Sequence, residues 1–257
     1  MKQINKIGIV LLMIFLISIM SGCNNHSKKN PESTIPSTTI STETTSPSTE
    51  DPNELPADVS EILANNLRKH FEREKAFRED DSIAVTINGI PIYQSEIEIK
   101  ASVNSTGREN FRIQLDSMQI PEQEKTKGWE EYIAVTPTDK EVILNELIRE
   151  TAIQFMVVER SLFPNDEEVL ALAQEKFTLI KDVPGIYADV QMYMEIMNLS
   201  EDDYVSQLAD EQRKEMGKEA LYSEVTREFG TETEQDKAFE TAVDAWIAKA
   251  DIAVIAK

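Results

Sequence analysis

The chain has 257 residues, 26 of them basic and 47 acidic, for a formal net charge of −21. A surface of that sign repels nucleic acid and anionic lipid headgroups, so no nucleic-acid partner is expected. The single cysteine, Cys23, excludes an internal disulfide.

Met1 to Lys6 carries two lysines, and Ile7 to Met20 is an apolar run of 14 residues. That length is short for a membrane span and suits the core of an export signal. The run ends in Met20-Ser21-Gly22-Cys23. This resembles the lipobox of bacterial lipoproteins, which implies diacylglyceryl transfer to Cys23 and removal of residues 1–22. The lipid on Cys23 would be the membrane anchor, on the outer face of the cytoplasmic membrane; two acyl chains suffice for stable attachment. The alternative is a plain signal peptide with an incidental cysteine. Residues 23–54 are rich in Ser, Thr, Pro and Asn and poor in apolar side chains. They cannot offset the entropy of ordering and are expected to act as a disordered tether of roughly 30 Å. A Ser/Thr-rich recognition or glycosylation tract is the other reading.

Residues 55–257 carry the folded domain. Ala, Leu, Glu and Lys dominate and Pro and Gly are scarce, so the expected class is mainly α. Leu55 to Arg78 has helical spacing, with His70 as a partly packed helix residue rather than a metal ligand. Ser82 to Ile87 alternates, Asn88-Gly89 is a strong hairpin signal, and Ile90-Pro91-Ile92 is the return strand. Its best remaining partner is Asp251 to Ala256, which would pair the start and end of the domain. Tyr93 to about Asn104 reads as a helix interrupted at Ser105-Thr106-Gly107, with resumption through Phe111, Leu115 and Met118. Pro121 to Thr136 reads as a long loop docked by Trp129, Tyr132 and Ile133.

Thr138 to Leu162 is the expected organising helix. Thr138 and Glu141 have capping-box spacing. Leu144, Ile148, Phe155, Val158 and Leu162 form one apolar row, and Ile143, Leu147 and Met156 widen it, leaving a narrow charged remainder. Such a helix should be largely buried. Helices then follow from Asn165, from Ile186 to Met197, from Ser200 to about Phe229, and from Glu234 to Ala250, with Phe239, Val243, Trp246 and Ile247 on the last one's packing side.

No nucleophile–base pair and no metal-spaced cluster stands out, so no catalytic residue, metal site or cofactor is assigned. Glu146 and Glu150 are four residues apart and are read as a solvated pair rather than a catalytic one.

The order of these pieces resembles the amino-terminal chaperone domain of the SurA/PrsA family, which is related to the chaperone part of trigger factor. The matching segments are Val85 to Ile92, the Glu141 to Arg160 helix, Asn165 to Val169, Ser200 to Tyr204, and Ala238 to Val254, so the resemblance covers about residues 82–256. It implies a multi-helix domain with a small β element and an ATP-independent chaperone that binds unfolded or exported polypeptides. No parvulin-like segment is visible, so prolyl isomerase activity is not carried over. The chain is also acidic where PrsA-like proteins are lysine-rich. Tyr187, Met192, Tyr193, Met194 and Met197 are the candidate client-binding residues, since Met is flexible and polarizable. The alternative for all five is that they are core. A second functional reading is an adaptor or assembly lipoprotein that holds one specific partner.

Overall fold

The computed structural model describes residues 55–255. The expected signal peptide, the lipidation residue Cys23 and the expected tether lie outside them. In chain order the elements are α1 (Ala57–Phe77), β1 (Ile83–Ile87), β2 (Ile90–Tyr93), α2 (Gln94–Ser117), α3 (Glu122–Val135), α4 (Lys140–Glu159), α5 (Asp166–Lys181), α6 (Pro184–Met197), α7 (Glu201–Thr226), α8 (Glu232–Ile247) and β3 (Ile252–Val254). The described residues are mainly helical, with one small antiparallel sheet of order β2-β1-β3.

The hairpin forms where Asn-Gly requires it. Asn88 and Gly89 both have positive φ, 49° and 83°, as a two-residue turn between twisted strands demands. The same turn secures the far end of the chain. The Asn88 N–H donates to the Asp251 carbonyl at 2.8 Å, and the Asn88 Oδ1 accepts from the Asp251 N–H at 2.8 Å. β3 then pairs with β1 in the register Val85–Val254, Thr86–Ala253, Ile87–Ile252. The expected pairing of the domain's two ends is therefore present. Val85, Ile87 and Ile92 are buried beneath the sheet against Leu144, Leu147, Ile148, Phe155 and Trp246.

Three helix starts follow their cap residues. Asn165 accepts from the Glu167 and Glu168 N–H groups, and Ser200 and Thr231 form capping boxes with Asp203 and Glu234. These side chains satisfy backbone donors that a helix end leaves unpaired.

Four expectations are corrected. The cap of α4 is Asp139, whose carboxylate accepts from the Glu141 and Val142 N–H groups; a carboxylate also suits the positive end of the helix dipole. Thr138 instead lies 3.5 Å from Arg108. α2 runs unbroken through Ser105-Thr106-Gly107. Thr106 is buried there and accepts from Arg73, and Gly107 makes room for Tyr132, whose hydroxyl would sit 2.6 Å from an added Cβ. Residues 122–135 form a helix, α3, rather than a loop. Tyr132 is buried on Phe111 with ring centroids 4.4 Å apart, and Trp129 packs at the edge of the same cluster.

The fourth correction concerns α4. Only Ile143, Ala152, Ile153, Met156 and Val157 are buried on it, and Val158 is exposed. Its charges are tied to neighbouring helices. Glu146 and Glu150 both bind the buried Lys100 ammonium of α2, at 3.3 and 2.7 Å. Arg149 binds Glu240 and Asp244 of α8. The Glu146–Glu150 pair is thus a structural clamp. α4 organises the sheet and the α7–α8 packing. A second core, of α1, α5, α6 and α7, forms apart from it. The 26-residue α7 joins the two, placing Tyr204, Leu208 and Ala209 in one core and Leu221 in the other.

Candidate functional site

The five candidate contact residues sit on α6. Pro184 starts this helix at a position where its missing N–H costs nothing. Asn198 ends it in the left-handed conformation, φ 57°. Tyr193 and Met194 point inward and are core residues. Tyr193 meets Phe71 edge-on at 5.1 Å and Tyr204 at 6.2 Å. Those two side chains cannot meet a client unless the core opens. Tyr187, Met192 and Met197 are partly buried around the same core. The Tyr187 hydroxyl donates to Glu201 at 2.9 Å, and the Lys181 ammonium lies over the Phe177 ring at 4.4 Å.

Beside them, the end of α1 meets α6 and α7 in a cleft of about 190 Å³ lined by Arg78, Tyr193, Tyr204, Gln207, Leu208, Asp210, Glu211 and Lys214. The Arg78 guanidinium is held by Glu74, with Nε at 3.0 Å and Nη2 at 2.6 Å from the same oxygen. The Tyr193 hydroxyl is shared between Glu74 and Gln207, 3.4 Å from each. Burial pushes the Glu211 carboxyl up to about 7, against the pull of Lys176 and Lys214. Burial also raises the phenols of Tyr193 and Tyr204, and nearby carboxylates reinforce it. Small-molecule pockets usually hold roughly 300–1,000 Å³. This cleft accommodates about one side chain, and its walls offer aromatic faces, hydrogen-bond acceptors and a carboxyl that titrates near neutrality. A wider depression of about 500 Å³ lies by Arg160, Glu224, Arg227 and Glu228. Two of its charged residues are paired, Arg160 donating to Glu224 at 2.7 Å.

One flank of α5 is uncovered. Its core-facing row is Val169, Ala173, Phe177 and Ile180. Leu172 and Leu179, seven residues apart and so one above the other, lie to the side of that row, 36% and 61% exposed. Val183, 40% exposed, continues them into the turn before α6. This flank lies on α5, not among the α6 residues expected to form the contact surface. The signal was available as an apolar stripe on α5 wider than its buried row.

A polar seam between α1 and α2 holds the other side of the domain. Asn66 donates to Asn110 at 3.0 Å, His70 Nδ1 lies 3.0 Å from the Ser102 hydroxyl, and Arg73 donates to Thr106 at 3.2 Å. His70 is packed, as expected, and more completely than a rim residue: it is 2% exposed. Among the described residues no group of three His, Cys, Asp or Glu side chains is placed to hold a metal ion.

No family model, no curated protein and no solved structure matches this chain.

Proposed function

We propose that the chain is a membrane-anchored, extracytoplasmic, ATP-independent chaperone that holds unfolded or exported polypeptides by transient contact with apolar side chains. The observation that carries this reading is the uncovered flank of α5. Leu172, Leu179 and Val183 stay in water on a domain whose acids far outnumber its bases. Leu172 and Leu179 share one flank, two turns apart with Glu175 and Lys176 between them, and apolar side chains kept in water on one flank can contact another chain. Tyr187, Met192 and Met197 lie on the next helix, partly buried against the core, and the two methionines are adaptable side chains. The ordered resemblance to SurA/PrsA domains and the lipobox at Cys23 support the location and the class.

The test is aggregation suppression by the full chain in lipid nanodiscs, without nucleotide, alongside a prolyl-isomerisation assay. Suppression of several unrelated unfolded proteins is expected, with no isomerase turnover. Leu179→Asp should weaken suppression several-fold while changing stability by no more than about 0.5 kcal/mol, because the site is exposed. Failure to suppress, together with recovery of one partner at fixed stoichiometry, would identify an adaptor instead.

The anchor has its own test. Cys23→Ala should leave the precursor uncleaved or release the protein from membranes. Unchanged processing and retention, followed by fractionation and mass measurement of the amino terminus, would refute lipidation.

A further inference from the structure

We infer that the outer edge of β3 is a strand-addition site, which takes an extended polypeptide segment as a fourth strand of the sheet. The inference rests on the polypeptide-binding reading above and says where, and in what conformation, the polypeptide is held. The two edges of the sheet differ. At β2 the outward-facing residues are Pro91 and Tyr93, since Ile90 and Ile92 pair with β1 as the hydrogen-bonded residues of a two-residue hairpin. Pro91 has no N–H to offer. The Tyr93 N–H already donates to the Glu96 carboxylate at 2.7 Å. That edge presents no free donor, and α2 begins at the next residue.

β3 has none of these protections. The Asn88 N–H bonds the Asp251 carbonyl and the Ile255 N–H bonds the Ala84 carbonyl. In an antiparallel ladder the bonded residues alternate, so Asp251, Ala253 and Ile255 turn their backbone groups toward β1. Ile252 and Val254 turn theirs away, and no described strand lies beyond them. The segment Ile252-Ala253-Val254-Ile255 contains no proline and no charge, two of the devices that blunt an edge; its one protection is that β3 is only three residues long. Its side chains are uncovered as well: Val254 is 72% exposed and Ile255 47%.

The free groups specify the occupant. Two N–H and two C=O groups in extended register match a peptide backbone in β conformation, the mode of strand augmentation. Val254 lies opposite Val85, whose side chain is fully buried on the helix-facing side of the sheet. An added strand would place every second side chain on that side, over Val254, and apolar or β-branched residues fit there. A second copy of this chain is the poorer fit. A three-residue strand buries far less than the roughly 1,200 Å² of a stable interface, and two copies each carrying −21 repel.

The probe is a seven-residue peptide of alternating valine and threonine, added to the full chain in nanodiscs and followed by amide hydrogen exchange and titration. Exchange at Ile252 and Val254 should slow by roughly tenfold, with Ala253 and Ile255 unchanged because they already bond β1. Val254→Pro removes an outward N–H without breaking a β1–β3 bond and should weaken binding by about fivefold or more, the worth of one hydrogen bond. Val254→Lys, which keeps the backbone and adds a charge, should do the same and decides the matter if far-UV circular dichroism shows that the proline variant misfolds. Equal peptide affinity in these variants, or no peptide binding while aggregation of unfolded proteins is still suppressed, overturns the edge site and leaves the chaperone reading standing. Loss of both activities in the unmodified chain overturns both. Protection of Ile252 and Val254 that rises with protein concentration alone assigns the edge to a second copy and overturns the inference.

Discussion

Phe71→Ala should destabilise the domain by about 3–5 kcal/mol, the usual cost of deleting a buried aromatic ring. Phe71 is 3% exposed and is one of only two α1 residues, with Leu67, in the core that α1 shares with α5, α6 and α7. Its ring meets Tyr193 edge-on, so the substitution also leaves Tyr193 without the nearer of its two aromatic neighbours, in a place where the Tyr193 hydroxyl is shared between Glu74 of the same α1 helix and Gln207. The loss is expected to be local as well as global. α1 precedes the hairpin and has its main packing against α2 and α6, so its exchange protection should fall before that of α8, which packs in the other core. Chemical denaturation with hydrogen exchange checks both parts. A change below about 1 kcal/mol, or equal loss of protection in α1 and α8, would show that α1 is not held by this core.

The parts of the fold that were legible in the sequence are those set by short-range chemistry. Asn88-Gly89 can take the positive φ values of a tight hairpin, and Asn165 and Ser200 are side chains that bond the amides of the next turn; Thr231 does the same for α8, which starts at Glu232 rather than at the expected Glu234. The β1–β3 pairing was legible for a different reason: β1 needed a partner, and Asp251 to Ala256 was the best remaining candidate. What failed depended on distant contacts. Ser105-Thr106-Gly107 reads locally as a helix break, yet Thr106 is satisfied by Arg73 of α1 and Gly107 by the approach of Tyr132 of α3. Residues 122–135 have few apolar side chains and needed Phe111 and Leu115 of α2 to complete their cluster. The candidate site was least legible. Apolar residues surround α6, so spacing alone could not tell the inward Tyr193 and Met194 from the outward Tyr187 and Met192. The cleft draws Arg78, Tyr193 and Glu211 from three separate helices.

The stability difference between the unmodified protein and His70→Gln should narrow, and then reverse in favour of the variant, as the pH falls from 7 to 4. Burial holds the His70 imidazole down from 6.5 to about 4, and the Arg73 guanidinium adds to the effect. The neighbouring Glu74 carboxylate opposes it weakly. Its oxygen lies 3.6 Å from Nε2, too far for a hydrogen bond, and its charge is already engaged by Arg78 at 2.6 Å. Desolvation therefore wins, and the folded state keeps His70 neutral where the unfolded chain would protonate it. The folded value is the lower one, so the native state binds fewer protons below pH 6.5. Stability is complete above that value and is lost as the pH falls through it toward about 4, by about 3 kcal/mol in all. His70 is 2% exposed, so solvent screening takes little from this figure. Asp189 and Glu211 work in the other direction. Burial raises them to about 6 and about 7, so their contribution is present at low pH and is lost as the pH rises through those values. The raw curve of stability against pH mixes these groups with other shifted carboxylates such as Glu150 and Asp203; the difference between unmodified protein and His70→Gln isolates one, because glutamine does not titrate and can still bond Ser102. Urea denaturation of both proteins at intervals between pH 7 and 4 supplies the difference. A difference that stays flat across this range would mean that His70 titrates alike in the folded and unfolded chain, and that the seam between α1 and α2 admits a charged imidazole.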